Sequence, residues 1–350
     1  MSGKGLDVGT HMLVAASKLA DGSIQYCEQI DAFFTLDASE ESKQLLEMLN
    51  IPHIEKKKSI SVIGEPARKF ANMFNAETRR PLQQGCLNKK DMDSLGMLHV
   101  LIADILGSPS QENELLKYSV TSTPIGTDMD FTYHKSQLES IFTQLGYKPE
   151  PIQEARAIAL SELAADKFSG LTISFGAGTT TVYLGHYGVD NPRLQFSVDK
   201  GGDWIDSHAS EMFAGLTQTK VQTVKEKGFN ILNPNGGVDV EELEGAKLLE
   251  ARARDALSAY YKAFIKNVFK LVEHKFNNEQ VPEFEDPIKC VIAGGTSLAG
   301  DFIDVCKQEI KALSLPFEIS DVIHAKDPTH AVAKGCLIAA ELEERKKARK

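Results

Sequence analysis

Two short segments place glycines and threonines where bare backbone could approach a ligand: Gly5-Leu6-Asp7-Val8-Gly9-Thr10, and Ile173-Ser174-Phe175-Gly176-Ala177-Gly178-Thr179-Thr180-Thr181. Each follows an extended apolar stretch and runs into another, Met12-Leu13-Val14-Ala15-Ala16 in the first case and Val182-Tyr183-Leu184 in the second. Each therefore reads as a β-hairpin with an exposed tip. Glycine permits φ > 0 and leaves N–H groups unshielded. Successive N–H groups in such a turn form a concave anion site, and threonine hydroxyls add donors. A pair of such tips suits a polyphosphate, and hence a nucleotide. Their separation of about 165 residues reads as an internal duplication.

The elements that must position these tips alternate between strand and helix, which implies an α/β architecture. Strands are expected at Leu13 to Leu19, Ser59 to Ile63, Val120 to Ile125 and Ile288 to Ala293. Helices are expected from Met92 to Leu106, through Leu138, Ile141, Phe142 and Leu145, from Glu154 to Ala165, from Glu241 to His274, and from Asp327-Pro328 to the basic tip Arg345–Lys350. The strand ending in Gly294-Gly295-Thr296 is a third place where backbone could meet a nucleotide. Gly201-Gly202-Asp203 reads as a turn and helix cap, and Asn233-Pro234-Asn235-Gly236-Gly237 as a plain turn.

With 350 residues the chain is expected to form roughly two domains. A net charge of −10 argues against a nucleic-acid surface, which needs a basic face. The five cysteines are scattered, without metal-ligand spacing, and read as reduced thiols of a cytoplasmic protein. The chain starts almost directly with its first strand, so no signal peptide is expected. No run approaches the roughly 18 apolar residues of a membrane span. Membrane contact, if any, is expected to be peripheral.

In order along the chain, these pieces resemble the actin-like ATPases, and among them the bacterial MreB-type cytoskeletal proteins. The two glycine hairpins look like that family's phosphate loops. Val62-Ile63-Gly64-Glu65-Pro66-Ala67, followed by Arg80-Pro81-Leu82 and Gly85, is similar to a stretch typical of the MreB group. Val224-Lys225-Glu226-Lys227 resembles the lysine–glutamate pair that contacts the nucleoside. Ile292-Ala293-Gly294-Gly295-Thr296-Ser297-Leu298 and Ala331-Val332-Ala333-Lys334-Gly335 look like the adenosine loop and closing helix.

The resemblance implies a two-lobed fold with a duplicated ribonuclease-H-like core and small outer subdomains. Lobe I would span 1–160, with an inserted subdomain about 30–75, completed by a C-terminal helix 326–350; lobe II would span 161–325. It implies ATP and Mg2+ in the cleft, slow hydrolysis and head-to-tail self-assembly in cell shape, organelle positioning or DNA segregation. Asp7 would hold the hydrated metal, although a carboxylate there could also simply stabilise a turn. Gly9, Thr10, Gly176, Ala177, Gly178 and Thr179 would bind phosphate, against the plainer reading as ordinary hairpin tips. Lys225 and Glu226 would contact ribose and base, and Gly294, Gly295 and Thr296 would flank the adenosine. Glu154 matches the water-orienting glutamate, with Gln153 as an alternative; acids are also common at helix N-termini for dipole reasons.

One departure stands out: the family places an aspartate where this chain has Ser174. A serine hydroxyl can bond a metal-bound water but supplies no charge. This keeps open a second reading, a non-polymerising nucleotide-binding adaptor with weakened hydrolysis. A chaperone-type ATPase of the same architecture would carry a substrate domain after the closing helix, where this chain ends. Sugar and acetate kinases need a second substrate site that no residue set here provides. The expected partner is the chain itself, with no direct nucleic-acid contact and room for an adaptor protein.

Overall fold

A computed structural model describes residues 3–74, 76, 78–122, 124, 125 and 131–349. The chain separates into two units: Met1–Val120, Met129–Ile152 and Cys336–Lys350 form the first, Thr121–Asp128 and Gln153–Gly335 the second.

The first unit opens with an antiparallel run of β1 (Lys4–Val8), β2 (Met12–Lys18) and β3 (Ile24–Ile30). Next come β4 (Phe33–Asp37), α1 (Glu40–Met48), β5 (His53–Lys56), β6 (Ser59–Ile63) and α2 (Glu65–Met73). They are followed by the short pair β7 (Leu82–Gln83) and β8 (Cys86–Leu87), then α3 (Ser94–Leu106), β9 (Glu114–Val120), α4 (Thr132–Gln144) and β10 (Tyr147–Gln153). The main sheet runs β10-β9-β1-β2-β3, with β1 parallel to β9. Leu98, Leu101 and Ile102 of α3 and Leu138, Ile141 and Phe142 of α4 recur at helical spacing, are buried, and share one core with Leu6 and Leu13 of the sheet. Strands β4, β6 and β5 form a small separate sheet over which Leu46, Ala67 and Phe70 close a core of their own.

The second unit holds α5 (Glu154–Glu162), β11 (Gly170–Phe175), β12 (Thr180–Gly185), β13 (Gln195–Val198), α6 (Gly202–Met212), α7 (Gln218–Lys227), α8 (Gly245–Asn277), β14 (Ile288–Ala293), α9 (Phe302–Lys311) and β15 (Ile319–His324). α10 (Ala331–Ala348) begins here and continues among residues that belong to the first unit. The sheet order is β13-β12-β11-β14-β15, with β11 and β12 antiparallel and β11 and β14 parallel. Both large sheets thus have one plan: a meander of three strands, then two further strands added on the far side of the first. Every residue of β11 and β12 is buried, which explains their unbroken apolar and threonine run. Phe175 packs edge-on against Phe264 of α8 and Phe302 of α9, with ring centroids 5.7 and 5.0 Å apart.

Several boundaries differ from the sequence reading, three of them with a visible cause. The strand expected at Val120 to Ile125 is β9, which ends at Val120; Thr121 and Ile125 bond instead to Ser197 of β13, through side chain and backbone respectively. α10 starts at Ala331 rather than at Asp327-Pro328. Asp327 binds the His330 ring at 2.6 Å and the Pro328 carbonyl accepts the Gly294 N–H, so this cap-like pair closes a turn ahead of the helix. α8 starts at Gly245, because Val240–Glu242 form a separate 3-10 turn capped by Asp239. Among the described residues no helix is long and apolar enough to cross a membrane. Among the described residues the cysteines form no disulfide, and Cys290, Cys306 and Cys336 are buried.

Candidate functional site

In the first unit, the tip between β1 and β2 carries Gly9 and Thr10. A Cβ on Gly9 would lie 2.5 Å from the Met12 carbonyl oxygen, so only glycine closes this turn without displacing backbone. The Thr10 hydroxyl accepts the Gly85 N–H at 3.1 Å, which ties the tip to the β7–β8 hairpin and leaves the hydroxyl proton free to donate. That hairpin is anchored again where Leu82 N–H donates to the buried Asp31 carboxylate at 3.0 Å, while Asp31 N–H reaches the His11 carbonyl. The Arg80-Pro81-Leu82 and Gly85 stretch thus buttresses the tip.

Asp7, three positions before Thr10, accepts a 2.8 Å hydrogen bond from the Ser119 hydroxyl, which itself takes the Val8 N–H. Part of the Asp7 surface reaches solvent, but protein crowds the carboxyl closely. That desolvation, partly offset by Ser119, pushes its pKa up to about 6. No ion pair engages it among the described residues, nor do these contain a group of three or more His, Cys, Asp or Glu that could enclose a metal. A lone, poorly solvated carboxylate suits a cation that keeps most of its waters, as Mg2+ does.

In the second unit, Gly176 and Ala177 at the β11–β12 tip accept backbone N–H bonds from Gly202 and Asp203 at 3.0 and 2.9 Å, so the first turn of α6 is fastened to the tip. The Thr296 hydroxyl also donates to Gly176 O, at 2.8 Å. A Cβ on Gly201 would lie 2.5 Å from both tip carbonyls. One on Gly202 would lie 2.7 Å from Thr296 Oγ1 and 3.4 Å from Lys225 Nζ. The glycines thereby bring Gly176, Ala177, Thr296 and Lys225 into one cluster. Gly294 has φ +93°, and a side chain there would run into the Phe175 carbonyl, whereas Gly295 faces open space. Gly178 and Thr179 are buried within the same tip.

Lys225 is held by the buried Asp206 carboxylate at 2.5 Å. Burial raises the Asp206 pKa and the Lys225 ammonium opposes the rise. Glu226 is exposed on the next position of α7 and joins none of these hydrogen bonds. Glu154 is the first residue of α5, and its Oε2 accepts from Thr181 Oγ1 at 3.2 Å; Thr181 is the β12 residue paired with Ser174. Gln153 caps α5, its Oε1 taking the Arg156 N–H at 2.8 Å. The Gln153 Nε2 is buried with no hydrogen-bond partner among the described residues, so both residues remain candidates at this position.

Ser174 occupies in the second hairpin the place that Asp7 occupies in the first: Asp7 pairs with Val14 and Ser174 with Thr181, each pair seven residues apart. Sequence reading found the glycines and Asp7 but missed Ser119, Asp31 and Asp206. These act on partners 112, 51 and 19 residues away and leave no local pattern. The Asp206 signal was present as the end of Gly201-Gly202-Asp203-Trp204-Ile205-Asp206, one helical turn after a recognised cap.

Two sheets of one strand order, each with a glycine-tipped hairpin, define the actin-like fold. Solved structures agree. A MamK double helical filament has 18% identity with this chain, covers 98% of both chains and gives a TM-score of 0.69. MreB5 of Spiroplasma citri bound to ADP has 16% identity over 100% of this chain and 99% of its own, with a TM-score of 0.68. The same protein bound to AMPPNP has 15% identity over 99% and 98%, with a TM-score of 0.67. No curated protein matches the sequence. A family profile described as Volactin matches residues 1–340, and the chain belongs to the volactin family.

Proposed function

We propose that this chain is an ATP-binding, actin-like cytoskeletal protein of the cytoplasm that assembles head to tail into filaments and hydrolyses ATP slowly. The observation that carries the reading is the second-unit cluster, in which a glycine tip, a helix start, Thr296 and the Asp206-held Lys225 converge. Support also comes from relatives of the same fold, solved with AMPPNP or ADP or as a filament.

In this reading Ala177, Gly178 and Thr179 of the second tip, and Gly9 and Thr10 of the first, would donate to phosphate oxygens, while Gly176, whose N–H is taken by the Thr179 carbonyl, shapes the turn that presents them. Gly294, Gly295 and Thr296 flank the adenosine, the open space at Gly295 admitting it, and Lys225 with Glu226 meets the ribose and base. Asp7 would hold a hydrated Mg2+, which would supply positive charge against the phosphates. Glu154, steadied by Thr181, orients the attacking water. Filaments of this kind serve cell shape, organelle positioning or DNA segregation.

High-speed sedimentation of the purified protein with Mg-ATP, Mg-ADP or no nucleotide tests the proposal. ATP-dependent pelleting is expected. Protein that binds ATP yet stays in the supernatant under all three conditions selects the adaptor reading.

A further inference from the structure

Lys262, Lys266 and Lys270 follow one another at a spacing of four along the exposed side of α8, with Ala259, Ala263, Asn267 and His274 completing that face. Four-residue spacing stacks the ammonium groups turn upon turn, in a ridge about 12 Å long. Like charges so placed destabilise a helix, and other cations of the chain have acid partners. Arg254 and Lys275 on this same helix have Glu250 and Glu279 at 2.5 and 2.8 Å, and the basic tip of α10 is answered by Glu341 and Glu343. No ion pair engages the three ridge lysines among the described residues. In a protein of net charge −10 the ridge is an unanswered positive surface.

Its complement stands at the head of the same helix. Asp239, Glu241, Glu242 and Glu244 are all exposed and none is in an ion pair among the described residues, Asp239 being used only to cap the Glu241 N–H. Eighteen residues of continuous helix separate Glu244 from Lys262, so α8 holds them about 27 Å apart. That exceeds any ion-pair reach and the Debye length of about 8–10 Å at ordinary salt. Within one chain the patches cannot meet; between chains they can.

We propose that the α8 lysine ridge is the seat for the Asp239–Glu244 segment of a second copy of this chain. The proposal rests on the self-assembly reading and names a contact for it. Two different patches joined in this way make a heterologous contact, which each added copy offers again. A membrane is the poorer occupant, because the ridge face has no large apolar side chain to insert.

The test has two arms. In the first, zero-length carbodiimide cross-linking of wild-type protein is followed by peptide mass spectrometry. An intermolecular bond from Lys262, Lys266 or Lys270 to the 239–244 segment is expected, and its absence overturns the proposal. In the second, one variant reverses the ridge (Lys262→Glu, Lys266→Glu, Lys270→Glu) and another reverses the segment (Asp239→Lys, Glu241→Lys, Glu242→Lys, Glu244→Lys). Each alone should need about tenfold more protein to sediment, while their equimolar mixture should recover to within about threefold of wild type. Circular dichroism and ATP binding confirm that both are folded. A ridge variant that sediments like wild type, or one that loses only its binding to phosphatidylglycerol vesicles, overturns the proposal. If the cross-link forms but wild type stays in the supernatant with Mg-ATP, Mg-ADP and no nucleotide alike, the contact stands and the filament reading fails; ATP-dependent pelleting without cross-link or rescue gives the reverse.

Discussion

Asp7 is a carboxylate raised to about 6 by its crowded setting, with one serine hydroxyl to hold it. A raised acid favours its protonated form in the fold, so its stability contribution is present below the unfolded value of 3.8 and is lost as pH rises through about 6. A bound cation reverses the preference, because it needs the ionised form. Mg2+-dependent ATP affinity should therefore be level above about pH 7 and fall roughly tenfold per unit below about pH 6. Titration calorimetry with Mg2+ or EDTA reads this directly. Asp7→Asn should make ATP affinity insensitive to Mg2+ within about twofold and raise the melting temperature of the ligand-free protein at neutral pH. At this scale the sequence shows residues whose type is itself unusual: glycines such as Gly9, Gly201 and Gly294 where a Cβ would meet backbone, and an acid near the first of them. Ser119, Asp31 and Asp206 are ordinary residues made special only by chain segments far away in sequence.

Among the elements, α10 sets local propensity against packing most plainly. Gly335 lies inside the helix, where alanine would ordinarily gain about 1 kcal/mol. A Cβ at this position would collide with the backbone carbonyl of Ala157 on α5, an atom that cannot rotate aside as a side chain can. Overpacking of this kind typically costs about 1–3 kcal/mol, and a clash with backbone falls at the upper end. Gly335→Ala should therefore be destabilised by about 2 kcal/mol net, seen as a lower urea midpoint with an unchanged slope. The small-residue run Ala331 to Gly335 was legible as a closely packed surface because small side chains have few other uses in a helix. The start of that helix was not: Asp327-Pro328 has the chemistry of a cap, but its groups are taken by His330 and Gly294. The long α8 and the strand β14 could be read from apolar spacing alone, since each buries its pattern against a single core.

For the whole molecule, the repeated hairpin was enough to disclose a duplication that most of the intervening sequence conceals. Both sheets keep one strand order, while the connections after the third strand have become a small sheet with helices in one unit and the helices α6, α7 and α8 in the other. Connections diverge freely because they lie outside the pairing that defines the sheet. Ser174→Asp would return to the second hairpin the charge that its counterpart keeps. Phosphate release with Mg-ATP should then rise at least about threefold. The ligand-free protein should melt lower, because position 174 is only 4% exposed and an unpaired charge is costly there. Unchanged turnover at full ATP occupancy would show that Ser174 does not limit hydrolysis. The equivalence of positions 7 and 174 also bears on descent. Had the ancestor been a pair of identical half-length subunits, one gene would have written both hairpins, and any loss of the acid would have struck both together. An aspartate in one hairpin and a serine in the other therefore require two copies of the sequence that change independently, so a strictly symmetric pair of identical halves could not have carried this asymmetry.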